Sequence, residues 1–301
     1  MARRSGTKNC LRGQRTTLRH RWEKMGVDNY IYLMFDKKPE EVEDFLEKEF
    51  EVEIRDGEWD DPRMDYLREK GLLGDDFQLV VSGELLFDPS LRTTEWGVII
   101  NADFYVYTVK GYTILEIHPV SRSRWRFVLS SEVIRLLKQF MKAEPLLICG
   151  YRDDTDLTKL GFEYNMSYLF INWLPEAIKT GKLEILPSAL TAVRKELLKL
   201  DEGLYEVSIP WRPNEKGFLF VGELDGYAVI LFFGIVDFED PEDIHESLEE
   251  PWEIVWDLVI PVMLPLTNIR KVQNDRWQRM VREIFNGHTT GDYSRLKHAG
   301  D

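Results

Sequence analysis

Two apolar runs, Tyr227–Val236 and Leu258–Leu266, set the first constraint on this chain. Each is about half the ~20 residues that a membrane helix needs, and the second contains prolines. They read instead as buried core segments of a soluble, intracellular-type protein with no membrane partner. The 301 residues suffice for one large domain or two ordinary ones. With 44% hydrophobic residues and nine tryptophans, wholesale disorder is excluded. The basic N-terminus precedes no apolar segment of the kind a secretory signal carries. Cys10 and Cys149 are too few for a disulfide framework. The five histidines form no His-x-x-x-His pair, so no metal site is expected.

Charge is unevenly divided. Residues 1–25 carry eight basic groups and one acidic, a net of +7. Residues 268–301 carry seven against four, a net of +3. The body between holds 24 basic and 48 acidic groups, a net of −24. Within it, Asp36–Asp61 has 13 acidic and four basic residues, and Asp237–Asp257 has ten acidic residues and no Lys or Arg. Basic arms and acidic patches of this kind steer association and fix register. Arg3, Arg4, Lys8, Arg12, Arg15, Arg19 and Arg21 are therefore candidates for binding a partner subunit or nucleic acid, the latter with strong salt dependence.

The pattern predicts an α+β protein in three parts: a basic arm over 1–25, an α/β domain over 27–175 with a mixed sheet flanked by helices, and a smaller α+β domain with antiparallel strands over 184–301. Strands are expected at Tyr30–Phe35, Phe77–Phe87, Gly97–Val109, Tyr112–Ile117, Leu146–Tyr151 and Tyr164–Trp173. Helices are expected at Glu40–Phe50, Asp61–Leu72, from Ser130 or Ser131 to about Lys142, and from about Asp153 to Gly161. The second half predicts a helix over Ser188–Leu200, strands Gly203–Ile209, Gly217–Leu224 and Tyr227–Val236, an acidic helical piece over 241–250, and the aromatic run Trp252–Leu266. A basic amphipathic helix over Asn268–Phe285 then stops at Gly287, with Ile269, Val272, Trp277, Met280, Val281, Ile284 and Phe285 on its apolar face.

Residues 114–164 carry a resemblance. Ile114-Leu-Glu-Ile-His-Pro119 leads through Val-Ser-Arg122-Ser-Arg124-Trp-Arg126-Phe into a helix, and Lys159-Leu-Gly-Phe162 follows the next strand. This order resembles the GNAT-type N-acetyltransferases, whose fourth strand enters a helix through a basic, Gly-rich turn that grips the pyrophosphate of acetyl-coenzyme A. The resemblance implies coenzyme binding at Arg122, Ser123, Arg124 and Arg126. The departures are specific. Ser123, Trp125 and Phe127 stand where that turn needs residues without a Cβ, and Leu157 stands where the family places a tyrosine acid. The chain is similar in this to acetyltransferase-like proteins of tailed-phage particles. The expected function is a structural, non-catalytic assembly protein, a pseudoenzyme without cofactor, forming a homo- or hetero-oligomer through its arm and acidic patches. The alternatives are an acyltransferase using acetyl-coenzyme A and a nucleic-acid-binding accessory protein. For the enzyme, Glu116 and His118 lie two apart on one strand, share a face, and could act as an acid/base pair. Cys149 is expected in the core.

Overall fold

A computed structural model describes residues 29–55, 68–71, 73–87, 101–119, 129–152, 174–181, 190–208, 216–233 and 269–291. The described strands are β1 (Asn29–Phe35), β2 (Glu51–Arg55), β3 (Gln78–Leu86), β4 (Asn101–Val109), β5 (Tyr112–Pro119), β6 (Leu147–Arg152), β7 (Leu190–Arg194), β8 (Gly203–Ser208), β9 (Lys216–Leu224), β10 (Tyr227–Phe233) and β11 (Ile269–Lys271). The described helices are α1 (Pro39–Glu49), α2 (Ser131–Met141), α3 (Leu174–Lys179) and α4 (Asp275–Thr290), with a 3-10 turn at Lys195–Leu197.

All eleven strands join one sheet in the order β11-β8-β9-β10-β7-β6-β1-β5-β4-β3-β2. Every ladder among the described residues is antiparallel, which corrects the expected mixed sheet to an antiparallel one within an α+β fold. The chain passes from β5 through α2 to β6, and both strands pair with β1. They are therefore parallel to each other with β1 between them. The β6–β7 ladder carries the sheet from the first half of the chain into the second.

Three helices cover one face. Pro39 opens α1 at its first turn, and the Lys38 N–H donates to Glu41 Oε1 at 3.2 Å. Ser130 Oγ accepts from the Val133 N–H at 3.1 Å to cap α2. Val42, Phe45 and Leu46 of α1, Val133, Ile134, Leu137 and Phe140 of α2, and Met280, Val281, Ile284 and Phe285 of α4 form a continuous core with Ile31, Leu33, Phe104, Leu115, Ile148, Ala192, Phe220 and Val229 of the sheet. Phe50 meets Phe45, Phe87 and Phe140 at ring-centroid distances of 5.7–5.9 Å, two of the contacts being edge-to-face. At the other end Phe285 lies 5.5 Å from Phe220, over Gly222, where a Cβ would stand 2.5 Å from the Phe285 ring.

Two expected elements differ. The helix predicted over Ser188–Leu200 is strand β7 and a 3-10 turn, because Leu190, Thr191, Ala192 and Val193 are consecutively buried between β6 and β10. A surface helix would bury a stripe, whereas a central strand buries both faces. The predicted helix Asn268–Phe285 begins later. Ile269–Lys271 pairs with β8, and Asn274 Oδ1 caps α4 by accepting from the Arg276 and Trp277 N–H groups at 3.0 and 3.2 Å. Gly287 is buried inside α4, and the helix stops at Gly291, whose φ of 73° suits a residue without a Cβ. Strand β2 and helix α3 were not anticipated from the sequence.

Most of the predicted helix Asp61–Leu72, and all of the elements at 153–161, 164–173, 241–250 and 252–266, lie outside the described residues. No helix among the described residues is long and apolar enough to cross a membrane.

Candidate functional site

The sheet face opposite α1, α2 and α4 carries a polar row that crosses five strands. The ladders place Tyr105 opposite Glu116, Glu116 opposite Tyr32, Tyr32 opposite Cys149, and Cys149 opposite Thr191. Directly opposed side chains in an antiparallel pair stand about 4.5–5.5 Å apart at Cβ, so the row is a contiguous line of polar groups inside the protein. Tyr32, Cys149 and Thr191 are fully buried, and Glu116 is 1% exposed.

Glu116 is the hub. Its Oε1 lies 3.0 Å from His118 Nε2, and its Oε2 accepts from the Tyr107 hydroxyl at 3.3 Å. His118 follows two residues later on the same face, 14% exposed, with the Tyr105 ring centroid 4.8 Å away. The expected i, i+2 pairing of Glu116 with His118 is thus present as a direct contact. A carboxylate that accepts from an imidazole N–H holds the ring in one orientation, the arrangement an acid/base pair uses. The wall behind the dyad is less suited to nucleophilic chemistry. Burial first, and the Glu116 charge second, hold the Cys149 thiol well above its ordinary range, so it is no thiolate. Burial, then the Glu116 and Cys149 charges, also raise the Tyr32 hydroxyl, against a hydrogen bond with Tyr107 that lowers it. Cys149 is a core residue, as its apolar sequence context predicts.

The dyad continues toward the sheet edge. Asp103 stands opposite His118 and holds Arg55 Nη1 at 3.1 Å, while Arg55 also pairs with Glu84. Sequence reasoning missed Tyr32, Tyr105, Tyr107, Asp103 and Thr191. The alternation Asp103-x-Tyr105-x-Tyr107 was a usable signal for a polar face, but its pairing with Glu116 depends on register across separate strands. The Thr191 hydroxyl is buried without a hydrogen-bond partner, beside Cys149.

Arg122, Ser123, Arg124 and Arg126 lie outside the described residues, as do Arg3, Arg4, Lys8, Arg12, Arg15, Arg19 and Arg21 of the arm. Among the described residues, no group of three or more His, Cys, Asp or Glu side chains is placed to hold a metal ion.

The acidic segment around residue 40 takes a definite form. Glu40, Glu43, Asp44 and Glu47 are spaced i, i+3, i+4 and i+7 along α1, and so share its outer side. Three are exposed and Glu43 is half-buried. None of the four forms an ion pair among the described residues, whereas Glu49 pairs with Lys142, Glu144 with Lys37, Glu202 with Arg282, and Glu223 with Lys195. Partial burial, then repulsion from Glu40, Glu47 and Asp44, raises the Glu43 carboxyl above its usual range.

Comparison of the chain with protein-family models, with curated proteins and with solved structures finds no match in any of the three.

Proposed function

We propose that this protein is a non-catalytic assembly component on a degenerate GNAT-like fold, of the kind found in viral particles. Its acidic body receives the basic arm, residues 1–25, of a neighbouring subunit. The observation that carries this reading is the α1 stripe of four carboxylates without an ion pair among the described residues. Like charges at these spacings destabilise a helix by a few tenths of a kcal/mol per pair. A partner cation converts that repulsion into attraction, and the arm, with its net of +7, supplies such cations.

The test is the mass in solution of the full chain and of residues 26–301, at low and high salt. The full chain is expected to be oligomeric, and loss of the arm or added salt is expected to dissociate it. A strictly monomeric full chain that also ignores DNA overturns the reading. DNA binding by a monomer that weakens steeply with salt would favour the nucleic-acid accessory instead.

One observation favours a second reading, an N-acyltransferase with an altered coenzyme A site: the 3.0 Å contact between Glu116 and His118. In that reading His118 takes a proton from the acceptor amine, Glu116 stabilises the resulting imidazolium, and Arg122, Ser123, Arg124 and Arg126 hold the coenzyme phosphates. Calorimetry with acetyl-coenzyme A separates the two. Micromolar binding that is lost in an Arg122→Ala, Arg124→Ala double variant establishes the enzyme.

A further inference from the structure

The β2 end of the sheet is open among the described residues. Four of the five β2 residues are exposed, including Ile54 at 44%. The other exposed large apolar side chains among the described residues, Val80 and Leu86, lie on the neighbouring β3. Beyond its ladder with β3, β2 makes no backbone hydrogen bond among the described residues. A free strand edge is a template for an added strand, with main-chain hydrogen bonds giving affinity and alternate side chains giving specificity.

The side chains of β2 define what would fit. Alternation puts Glu51, Glu53 and Arg55 on one face and Val52 and Ile54 on the other. An incoming strand should carry cations at alternate positions opposite Glu51 and Glu53, and an apolar residue on its other face opposite Ile54. Thr17-Leu18-Arg19-His20-Arg21 of the basic arm has that pattern. We propose that this segment of a neighbouring copy adds to β2 as an antiparallel strand. Arg21 then lies opposite Glu51, Arg19 opposite Glu53, and Leu18 opposite Ile54. A slip of one residue would place both arginines on the Val52/Ile54 face, so the charge pattern itself fixes the register. The proposal rests on the assembly reading above and seats residues 17–21 of the arm at β2, which leaves Arg3, Arg4, Lys8, Arg12 and Arg15 for the α1 stripe.

Chain length favours the neighbour's arm over the protein's own. The ladders put Ile31, Ile117, Phe104, Gly83 and Ile54 in one row, so Asn29, two residues before Ile31, lies in the row of Val52. A strand added beyond β2 is five strand spacings from β1, about 24 Å in the plane of the sheet. Eight residue steps separate Arg21 from Asn29, at most about 28 Å of extended chain. The protein's own arm would have to run almost straight and fully extended across the strand ends, with about 4 Å to spare, whereas a neighbour's arm carries no such constraint. Exchange between two copies closes a dimer, and one-way donation builds a longer array.

Charge exchange tests the proposal on the full chain. Glu51→Lys/Glu53→Lys and Arg19→Glu/Arg21→Glu are each expected to be monomeric at low salt. An equimolar mixture is expected to recover the native mass, because each arm then meets an edge of opposite sign. All four sites are on the surface or in the arm, and unchanged circular dichroism shows that each variant is folded. A second measurement uses a Cys10→Ser background. Leu18→Cys mixed with Ile54→Cys is expected to give a disulfide-linked dimer under oxidised glutathione, and Leu18→Cys mixed with Arg270→Cys, on the opposite sheet edge, is not. A full chain that is monomeric defeats both the assembly reading and the strand. An oligomer that needs the arm, yet is not restored by the charge-swapped mixture and gives no Leu18–Ile54 link, keeps assembly and overturns the strand.

Discussion

The two faces of the sheet are both buried, yet they are held by different physics. Under α1, α2 and α4 the contacts are aromatic and aliphatic, and what counts is filled volume: Phe50 among three other phenylalanines, or Phe285 over the bare backbone of Gly222. On the opposite face the row Tyr105–Glu116–Tyr32–Cys149–Thr191 puts hydroxyls, a thiol and a carboxylate inside the protein. There the requirement is directional, because a buried polar group without a partner loses its hydration and regains nothing. Cutting away atoms should therefore hurt the first face most, and removing a single hydrogen-bonding atom should hurt only the second.

Phe285→Ala is expected to have the largest effect. It empties the space between α4 and β9 and should cost about 3–5 kcal/mol, read as a lower urea midpoint. Glu116→Gln changes little volume but replaces an acceptor of two bonds with an amide that must turn a donor toward Tyr107 or His118. It should cost about 1–3 kcal/mol. A Glu116→Gln variant as stable as the parent would show that the second face, too, is governed by volume alone. Tyr107→Phe removes one hydroxyl from the same network and should cost about 0.5–1.5 kcal/mol. The double variant Tyr107→Phe/Glu116→Gln should cost less than the sum of the two, since one hydrogen bond is shared. Strict additivity would mean that the Tyr107–Glu116 contact contributes nothing.

The apolar face was largely legible in the sequence, and the polar face was not. Val42, Phe45 and Leu46, or Val133, Ile134, Leu137 and Phe140, repeat at helical spacing within a dozen residues, so the inward side of each helix is a local property. Glu116 and His118 were equally local, two apart on one strand. Their surroundings were not: Tyr32, Cys149 and Thr191 reach them only through ladders that join segments tens of residues apart, and Tyr107 only through the register of the β4–β5 hairpin. The same non-locality hid β7. Its Leu-Thr-Ala-Val-Arg run followed by Lys-Glu-Leu-Leu-Lys suits a helix by propensity, and only pairing with β6 and β10 makes it a strand. Gly287 misled for a related reason, because packing of His288 carries α4 past it to Gly291.

The smallest expected effect lies outside the apolar face, on the solvent side of α1, and it tests the proposed docking of the arm. The Glu43 carboxyl titrates above its ordinary range in the folded protein, owing to partial burial and then to the charges of Glu40, Glu47 and Asp44. The folded state therefore binds more protons than the unfolded state between the ordinary and the raised pKa. Stability should rise as pH falls through that window and level off below it. The gain should be small, because the group is only partly buried and its interactions are screened by solvent and salt. Glu47→Gln removes one of the repelling charges and should bring the Glu43 carboxyl back toward its ordinary range, as read by NMR titration of its side-chain carbon, with a flatter dependence of melting temperature on pH. A docked arm should lower the Glu43 titration in the same way, so the full chain should titrate below residues 26–301. Equal titration in the two would place the arm away from α1, and the difference between them should fade with salt if the attraction is electrostatic.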